Sequence, residues 1–225
     1  TADYKEFDDT AKAKKYLETK KSPLVVKYDG LAAGKGVEIC NTLDEARESI
    51  SKLLKSGEKI IIEDFIRGIE LSSIYICNPN ASKNNIGLPW IKDYKSRDEY
   101  NSGPNTGGMG SITHPFCSYK KNDVYALNIE IEKILIKTIV AINSLSSSTS
   151  KYNGFLYLGL MISADNDKPY LLEYNCRMGD PETQSIMMYL HKNDIDFLDL
   201  IGFDNSKYPD NFNLTFIDNK KYSGF

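Results

Sequence analysis

Glu173, Asn175 and Arg177 alternate along the segment Leu172-Glu173-Tyr174-Asn175-Cys176-Arg177. In a strand, side chains two apart project to one face. The carboxylate, the amide and the guanidinium would then share a side, with Leu172, Tyr174 and Cys176 on the other. Two hard oxygen donors suit Mg²⁺, whose remaining octahedral positions go to water and phosphate oxygens. The guanidinium can spread its donors over a phosphoryl group in transfer. Taken alone, the same row describes the solvent face of any amphipathic strand.

A second candidate is Lys27 with the stretch Asp29-Gly30-Leu31-Ala32-Ala33-Gly34-Lys35-Gly36, eight residues holding three Gly, two Ala and a Lys. Backbone free of Cβ atoms turns tightly and brings several N–H groups onto an anion. The spacing is not that of a Walker A loop, and no G-x-G-x-x-G is present. A phosphate cover is favoured over a plain hairpin connector. In Glu63-Asp64-Phe65-Ile66-Arg67-Gly68-Ile69-Glu70 a strand ends and restarts. Backbone groups at such a break can pair with a base, and a carboxylate seven residues on can take ribose hydroxyls; taken alone, an ordinary connection between strands is the better reading. Four glycines fall within Gly103-Pro104-Asn105-Thr106-Gly107-Gly108-Met109-Gly110, downstream of Asp93-Tyr94-Lys95. Gly179-Asp180-Pro181-Glu182 opens a helix, whose free N–H groups can meet an anion; alternatively Asp180 is an ordinary N-cap. The two histidines, His114 and His191, stand apart from other catalytic-looking groups, so Ser-His and Cys-His chemistry is unsupported.

The elements that must position these residues are legible in outline. Asp8 to Lys20 reads as a helix with a lysine-rich end. Pro23 to Lys27 and Val37 to Cys40 read as strands. Thr42, with Glu45 three residues on, caps a helix to about Lys55 whose apolar face is Ala46, Ile50, Leu53 and Leu54. Strands follow at Lys59 to Phe65 and Glu70 to Cys77. Lys92 to Phe116 reads as one long irregular region, and loops of that length are either functional or disordered. Asp123 to Leu145 is helical, Ser146 to Ser150 is a linker, and Gly154 to Ser163 and Lys168 to Arg177 are strands joined at Asp165-Asn166-Asp167. Thr183 to His191 and Asp194 to Ile201 read as short helices.

The composition fits this picture. Of 225 residues, 41% are hydrophobic and 26% charged, with a net charge of −3. This is a globular balance with no case for wrapping nucleic acid or lying on an anionic membrane. No apolar run reaches the roughly 20 residues of a membrane span. Cys40, Cys77, Cys117 and Cys176 are scattered and read as reduced thiols of a reducing, cytoplasmic compartment.

These pieces, in this order, resemble the ATP-grasp domain of the glycinamide ribonucleotide synthetase (phosphoribosylamine–glycine ligase) family of purine biosynthesis. The resemblance is carried by Val26 to Val37, Glu63 to Glu70, Gly103 to Gly110, Gly154-Phe155-Leu156-Tyr157 with Gly159-Leu160-Met161, and above all Glu173 to Gln184. It covers about residues 2 to 200 and implies an α+β ATP-grasp fold, two lobes gripping ATP. The larger lobe would comprise 1–20 and 78–225, with 21–77 inserted as the smaller one.

The resemblance also implies roles. Lys27 would touch the α and β phosphates, and Gly30, Gly34, Lys35 and Gly36 would close over them. Glu63 and the Ile66 backbone would read adenine, with Asp64, Phe65 and Met161 in the same nucleotide site and Glu70 on the ribose. Glu173 and Asn175 would hold Mg²⁺, or Mn²⁺ in its place. Arg177, Lys27 and Asp180 would be catalytic. Asp93, Lys95, Asn105, Thr106, Gly107, Gly108, Met109, Gly110, Asp180, Pro181 and Glu182 would lie near glycine and phosphoribosylamine. In the family's reaction glycine's carboxylate attacks the γ-phosphorus, giving glycyl phosphate and ADP. The amine of phosphoribosylamine then displaces phosphate. Two departures stand out: Tyr94 replaces the family's usual histidine, and the connection Leu53 to Lys59 is short. The family's N- and C-terminal domains lie outside this chain and are its expected partners, so the isolated domain is expected to be inactive. Two other readings are an ATP-grasp carboxylate–amine ligase or carboxylase of another kind, and a nucleotide-binding fragment without turnover.

Overall fold

The computed structural model describes residues 1–30, 36–55, 58–79, 85–99, 102–113, 121–145 and 151–203. Gly34 and Lys35, His114, Cys117, the serine-rich linker and the chain after 203 lie outside the described residues. The chain divides into two compact units, Thr1–Arg67 and Gly68–Phe225.

The first unit is a four-stranded antiparallel sheet of order β1-β4-β2-β3 with two helices. Its strands are β1 (Tyr4–Phe7), β2 (Leu24–Tyr28), β3 (Val37–Cys40) and β4 (Ile60–Asp64); its helices are α1 (Thr10–Leu17) and α2 (Leu43–Leu53). Asp9 caps α1 by accepting from the Lys12 N–H at 2.7 Å. Thr42 caps α2 by accepting from the Glu45 N–H at 3.1 Å, and the Glu45 carboxylate reaches back to the Asn41 N–H. Ala13, Leu17, Val26, Ala46, Ile50, Ile60 and Ile62 close one core.

The second unit holds a six-stranded sheet of order β10-β9-β5-β7-β8, with β6 also on β5. The strands are β5 (Gly68–Cys77), β6 (Asn85–Gly87), β7 (Ile91–Asp98), β8 (Ser102–Thr113), β9 (Gly154–Ser163) and β10 (Pro169–Asn175). Helix α3 (Lys121–Leu145) packs on one face, where Leu71, Tyr75, Leu158 and Leu160 meet Ile131 and Leu135. Helix α4 (Glu182–Lys192) packs on the other, where Ile74, Ile91 and Tyr157 meet Ile186 and Leu190. The alternation of β5 and β9 thus divides their side chains between two cores. Among the described residues no helix is long and apolar enough to cross a membrane.

Several expectations need correction. Residues 4–17 belong with the small sheet, because β1 pairs with β4 and α1 fills the same core. Strand β5 belongs to the large sheet, so the division falls at Arg67/Gly68 rather than around 21–77. Helix α1 is shorter than read, because Asp9 caps its start and Glu18 its end; the polar strand ahead of it, Tyr4–Phe7, has no period-2 signal and is absent from the sequence reading. The region read as irregular is largely the β7–β8 hairpin, with register shifts at Tyr94/Ser96 and Ser96/Asp98. Gly103, at φ +77, lies in β8 at the second register shift, and a Cβ there would strike the Asp98 carboxylate. In place of a regular helix at the end of the described chain there is a short π-type segment, Asp199–Phe203.

Leu158 sits at the centre of β9, fully buried between β5 and β10. Leu158→Ala should lower stability by about 2–5 kcal/mol, the cost of a large core truncation. Urea titration would measure it, and a loss below about 1 kcal/mol would show that this strand does not carry the core.

Candidate functional site

Strand β10 projects the sequence-predicted row, with one difference. A bulge at Leu172 shifts the register between Leu171, opposite Leu160, and Glu173, opposite Gly159. Leu171 therefore packs with the α3 core, while Glu173 points to the other face. Glu173 and Asn175 stand side by side there, the Asn175 Nδ2 donating to Glu173 Oε1 at 3.3 Å. Tyr174 does turn to the opposite side, where its hydroxyl meets Thr138 on α3 at 2.7 Å. It is nevertheless half exposed, and Cys176 is exposed too, so the expected apolar side of the row is not a buried one. Gly159 matters for Glu173: a Cβ on it would come within 2.9 Å of Glu173 Cγ.

A cleft of about 110 Å³ opens over this face of the second unit. Glu173, Asn175 and Arg177 line it from β10 and the turn after it, Asp93 and Lys95 from β7, and Thr106 and Gly107 from β8. Gly179, Asp180 and Glu182 line it from the start of α4, and Tyr157 from β9. Four carboxylates thus face two cations. Lys95 Nζ is 3.1 Å from Glu70 Oε2 and 3.9 Å from Asp93 Oδ2. Burial alone would lower the Lys95 pKa, but Glu70, then Asp93 and Glu173, raise it above the ordinary lysine value. Burial, then the Glu182 carboxylate, pushes Asp93 up to about 6. The Asp93 side chain is only 6% exposed, and its Oδ1 has no hydrogen-bond partner.

Ser72 and Tyr157 are functional candidates that the sequence reading missed. Both hydroxyls donate to Glu182 Oε1, at 3.1 and 2.8 Å, and they lie 2.7 Å from each other. Burial raises the Tyr157 pKa, so the phenol stays a donor. The available signal was a pair of serines, Ser72-Ser73, inside the otherwise apolar stretch Leu71 to Cys77. Asp180 is not an N-cap; its Oδ1 accepts from Gln184 Nε2 at 2.8 Å, and Pro181 occupies the cap position without a side-chain bond. Arg177 Nη1 donates to the Met178 carbonyl at 2.9 Å.

The glycine-rich strand β8 is tied down. Thr106 Oγ1 donates to the Lys95 carbonyl and accepts from the Gly108 N–H. Gly108, at φ +126, faces Pro181, whose Cδ would collide with a Cβ. Gly110 pairs with Tyr94, and Asn105 lies opposite Ser96. Met109 is 61% exposed and lines no part of the cleft. In the first unit, Lys27 Nζ is 2.7 Å from Glu63 Oε2, and the pair is largely buried. Lys20 Nζ holds Asp64 at 2.6 Å, which with burial opposing raises the lysine. Phe65 and Ile66 lie between β4 and β5, outside both ladders. Gly30 and Gly36 flank the part of the loop outside the described residues. Back in the second unit, Glu70 is paired across the ladder with Met161.

Residues 1–183 match the family model described as phosphoribosylglycinamide synthetase, ATP-grasp (A) domain. The chain belongs to this family. It is 38% identical to the phosphoribosylamine–glycine ligase of Ralstonia nicotianae over 205 residues, 88% of this chain and 46% of that protein. Against the enzyme of the same name from Clostridium acetobutylicum the identity is 37%, over 97% of this chain and 50% of that protein. The crystal structure of phosphoribosylamine–glycine ligase from Thermotoga maritima aligns with a TM-score of 0.70 at 34% identity, covering 84% of this chain and 46% of that one. The ATP-grasp fold extends to the D-alanine–D-alanine ligase of Bacillus anthracis, at a TM-score of 0.56 and 18% identity, covering 89% of this chain and 59% of that one. The chain spans about half the length of the phosphoribosylamine–glycine ligases it matches. Within the phosphoribosylglycinamide synthetase family, then, the cleft described here belongs to the ATP-grasp domain.

Asp93 links the site to stability. Its carboxyl value is raised in the fold, so the protonated form is favoured and its contribution is complete below the unfolded value, about 4. That contribution is lost as pH rises through about 6. Asp93→Asn should therefore be more stable than the parent by on the order of 1–3 kcal/mol at about pH 8, with the difference fading toward about pH 4. Urea titrations across that range measure this; a pH-independent difference would contradict it.

Proposed function

We propose that this chain is the nucleotide-gripping domain of a phosphoribosylamine–glycine ligase, which joins phosphoribosylamine and glycine into glycinamide ribonucleotide at the expense of ATP. The observation that carries the reading is the Glu173–Asn175 pair on one face of β10, in one cleft with Arg177.

The donor chemistry fits Mg²⁺. A carboxylate and an amide are few ligands, but Mg²⁺ is held by one or two protein groups together with phosphate oxygens and water. Among the described residues no group of three or more His, Cys, Asp or Glu is arranged for a metal; the pair is put forward on its donor chemistry. When bound, Mg²⁺ neutralises charge on the ATP phosphates. Mn²⁺, with the same preference for oxygen, would serve in its place.

The chain's own groups would act as follows. Lys27 turns from Glu63 to the α and β phosphates, under the loop that begins at Gly30 and ends at Gly36. Glu63 to Ile66 read the base, Met161 borders the nucleotide, and Glu70 takes the ribose. Glycine's carboxylate attacks the γ-phosphorus, ADP leaves as the bond to the bridging oxygen breaks, and Arg177 draws its donors over the transferring group. The resulting glycyl phosphate is attacked by the amine of phosphoribosylamine, and phosphate leaves. Asp180 borders the reacting groups, while Asn105 to Gly110, Pro181 and the Asp93–Lys95 segment enclose the substrates. Positioning and charge neutralisation carry the rate; a histidine is not needed. The remainder of the enzyme's length, N- and C-terminal domains, would complete the phosphoribosylamine site. Free Cys40, Cys77 and Cys176 support a reducing, cytoplasmic setting.

Calorimetric titration of the chain with ATP, with and without Mg²⁺, tests the reading. Affinity should depend on the metal, and Glu173→Gln should weaken Mg-ATP binding by at least about tenfold, a loss of about 1.4 kcal/mol. Unchanged Mg-ATP affinity in that variant would remove the metal role. Binding without glycine-dependent ADP release would favour a nucleotide-binding domain that turns over only with its missing partners.

A further inference from the structure

Lys95 stands between two carboxylates with different surroundings. Its Nζ lies 3.1 Å from Glu70 Oε2 on β5 and 3.9 Å from Asp93 Oδ2 on its own strand, β7. The Glu70 side chain is half exposed, whereas that of Asp93 is buried in the cleft wall. Asp93 Oδ1 has no hydrogen-bond partner. The ammonium is thus paired with the better-solvated carboxylate and stands further from the worse-solvated one. The other charges around it are committed elsewhere. Glu173, on β10, also attracts the lysine, but it is the proposed metal ligand. Glu182, at the start of α4, acts on Asp93 and is held by Ser72 and Tyr157. Asp180 accepts from Gln184. Arg177, the cleft's other cation, donates to the Met178 carbonyl. A lysine that leaves Glu70 therefore has one under-answered carboxylate within reach, and that is Asp93.

We infer that Lys95 is a positioning residue that changes partners when nucleotide binds, passing from Glu70 to Asp93 as the sugar hydroxyls take Glu70. This rests on the ligase reading above, in which Glu70 binds the ribose. The exchange follows from the cost of bare charge. Hydroxyls that donate to Glu70 occupy the acceptors Lys95 uses, and a partly buried ammonium left without a partner is destabilising. Turning to Asp93 needs only rotation of a flexible four-carbon stem, and it answers a buried carboxylate that has too few donors. The two states differ in protons as well as in contacts. Burial, then the Glu182 charge, holds the Asp93 carboxyl up at about 6 while Lys95 is paired with Glu70. An ammonium brought against Asp93 favours the carboxylate and pulls that value down. Near about pH 6, binding then expels a proton from Asp93; near about pH 8 the carboxyl is already ionised and none is expelled. Nucleotide binding thereby resets the charge of the cleft wall, which couples the two sites through one side chain with two alternative contacts.

The test is calorimetric titration of the chain, in the presence of Mg²⁺, with ATP and with 2′,3′-dideoxy-ATP in buffers of different ionisation enthalpy, so that the heat reports the protons exchanged. The two nucleotides carry the same triphosphate, whose own protonation cancels in the comparison. At about pH 6 ATP should release more protons than the dideoxy nucleotide, by up to roughly half a proton per site, and at about pH 8 the difference should vanish. Lys95→Met and Asp93→Asn should each remove the difference. A merely structural effect of either substitution would change both affinities alike and leave the proton difference in place. Equal proton release from the two nucleotides by the parent chain overturns the inference whether or not the variants fold. So does a difference that survives either substitution, or one as large at the higher pH as at the lower. Should only ATP bind, its release at the lower pH is compared between the parent and Asp93→Asn; a larger release by the parent supports the inference and an equal one overturns it. Failure of ATP itself to bind overturns the ligase reading, and is told apart by that first titration.

Discussion

The placement of a carboxylate and an amide on the same side of β10 depends on one extra residue. Leu172 has no partner across the ladder, so Leu171 can enter the α3 core while Glu173 faces the cleft. In a regular strand those two side chains would share a face, and burying the leucine would turn the carboxylate into the hydrophobic core. The bulge separates the two demands. The row across the sheet then fits around it: Ser72, Gly159 and Glu173 lie in register on β5, β9 and β10. A side chain at the middle position would crowd the carboxylate, and glycine leaves the space. The two helices complete the constraint, α3 packing on the apolar face and α4 on the face that carries the cleft.

Charge in the molecule is arranged in pairs that already have partners. Lys27 is held by Glu63 and Lys95 by Glu70, each combining a residue expected to meet the nucleotide or substrate with one of opposite sign. Such pairs keep partly buried charges from being left uncompensated. They also mean that a phosphate reaching Lys27 exchanges one anion for another, so the net gain is smaller than the bare attraction. In the cleft of the second unit the balance differs: carboxylates outnumber cations, and the surplus lies at Asp93 and Glu182.

The sequence made the alternation of Glu173 and Asn175 more legible than the architecture around them. Alternation along Glu173-Tyr174-Asn175 correctly predicted a shared face for the carboxylate and amide, because the bulge lies before them rather than between them. Thr42 and Glu45 marked the start of α2, since capping is local. The β7–β8 hairpin was not legible: four glycines and a proline hide a strand whose pairing is supplied by Ile91 to Asp98. Strand β1 was missed for a similar reason, since three of its four residues are exposed and its partner β4 lies more than fifty residues away. The Ser72–Tyr157 contact spans 85 residues and Ser72–Glu182 spans 110, and no local pattern announces such partners.

The glycines of β8 show why a glycine-rich segment need not be a mobile one. Thr106 binds the Lys95 carbonyl, Ser111 donates to the Pro181 carbonyl at 2.9 Å, and Ser185 returns a bond to the Ser111 carbonyl at 3.0 Å. Those bonds join β7, β8 and the start of α4, the elements that carry Lys95, Gly107 and Glu182. Gly108 is needed because the strand passes against Pro181 at a backbone angle that other residues avoid. Here the missing Cβ permits close approach, and the approach fixes the cleft. Walls already in place before a ligand arrives lower the ordering cost of binding.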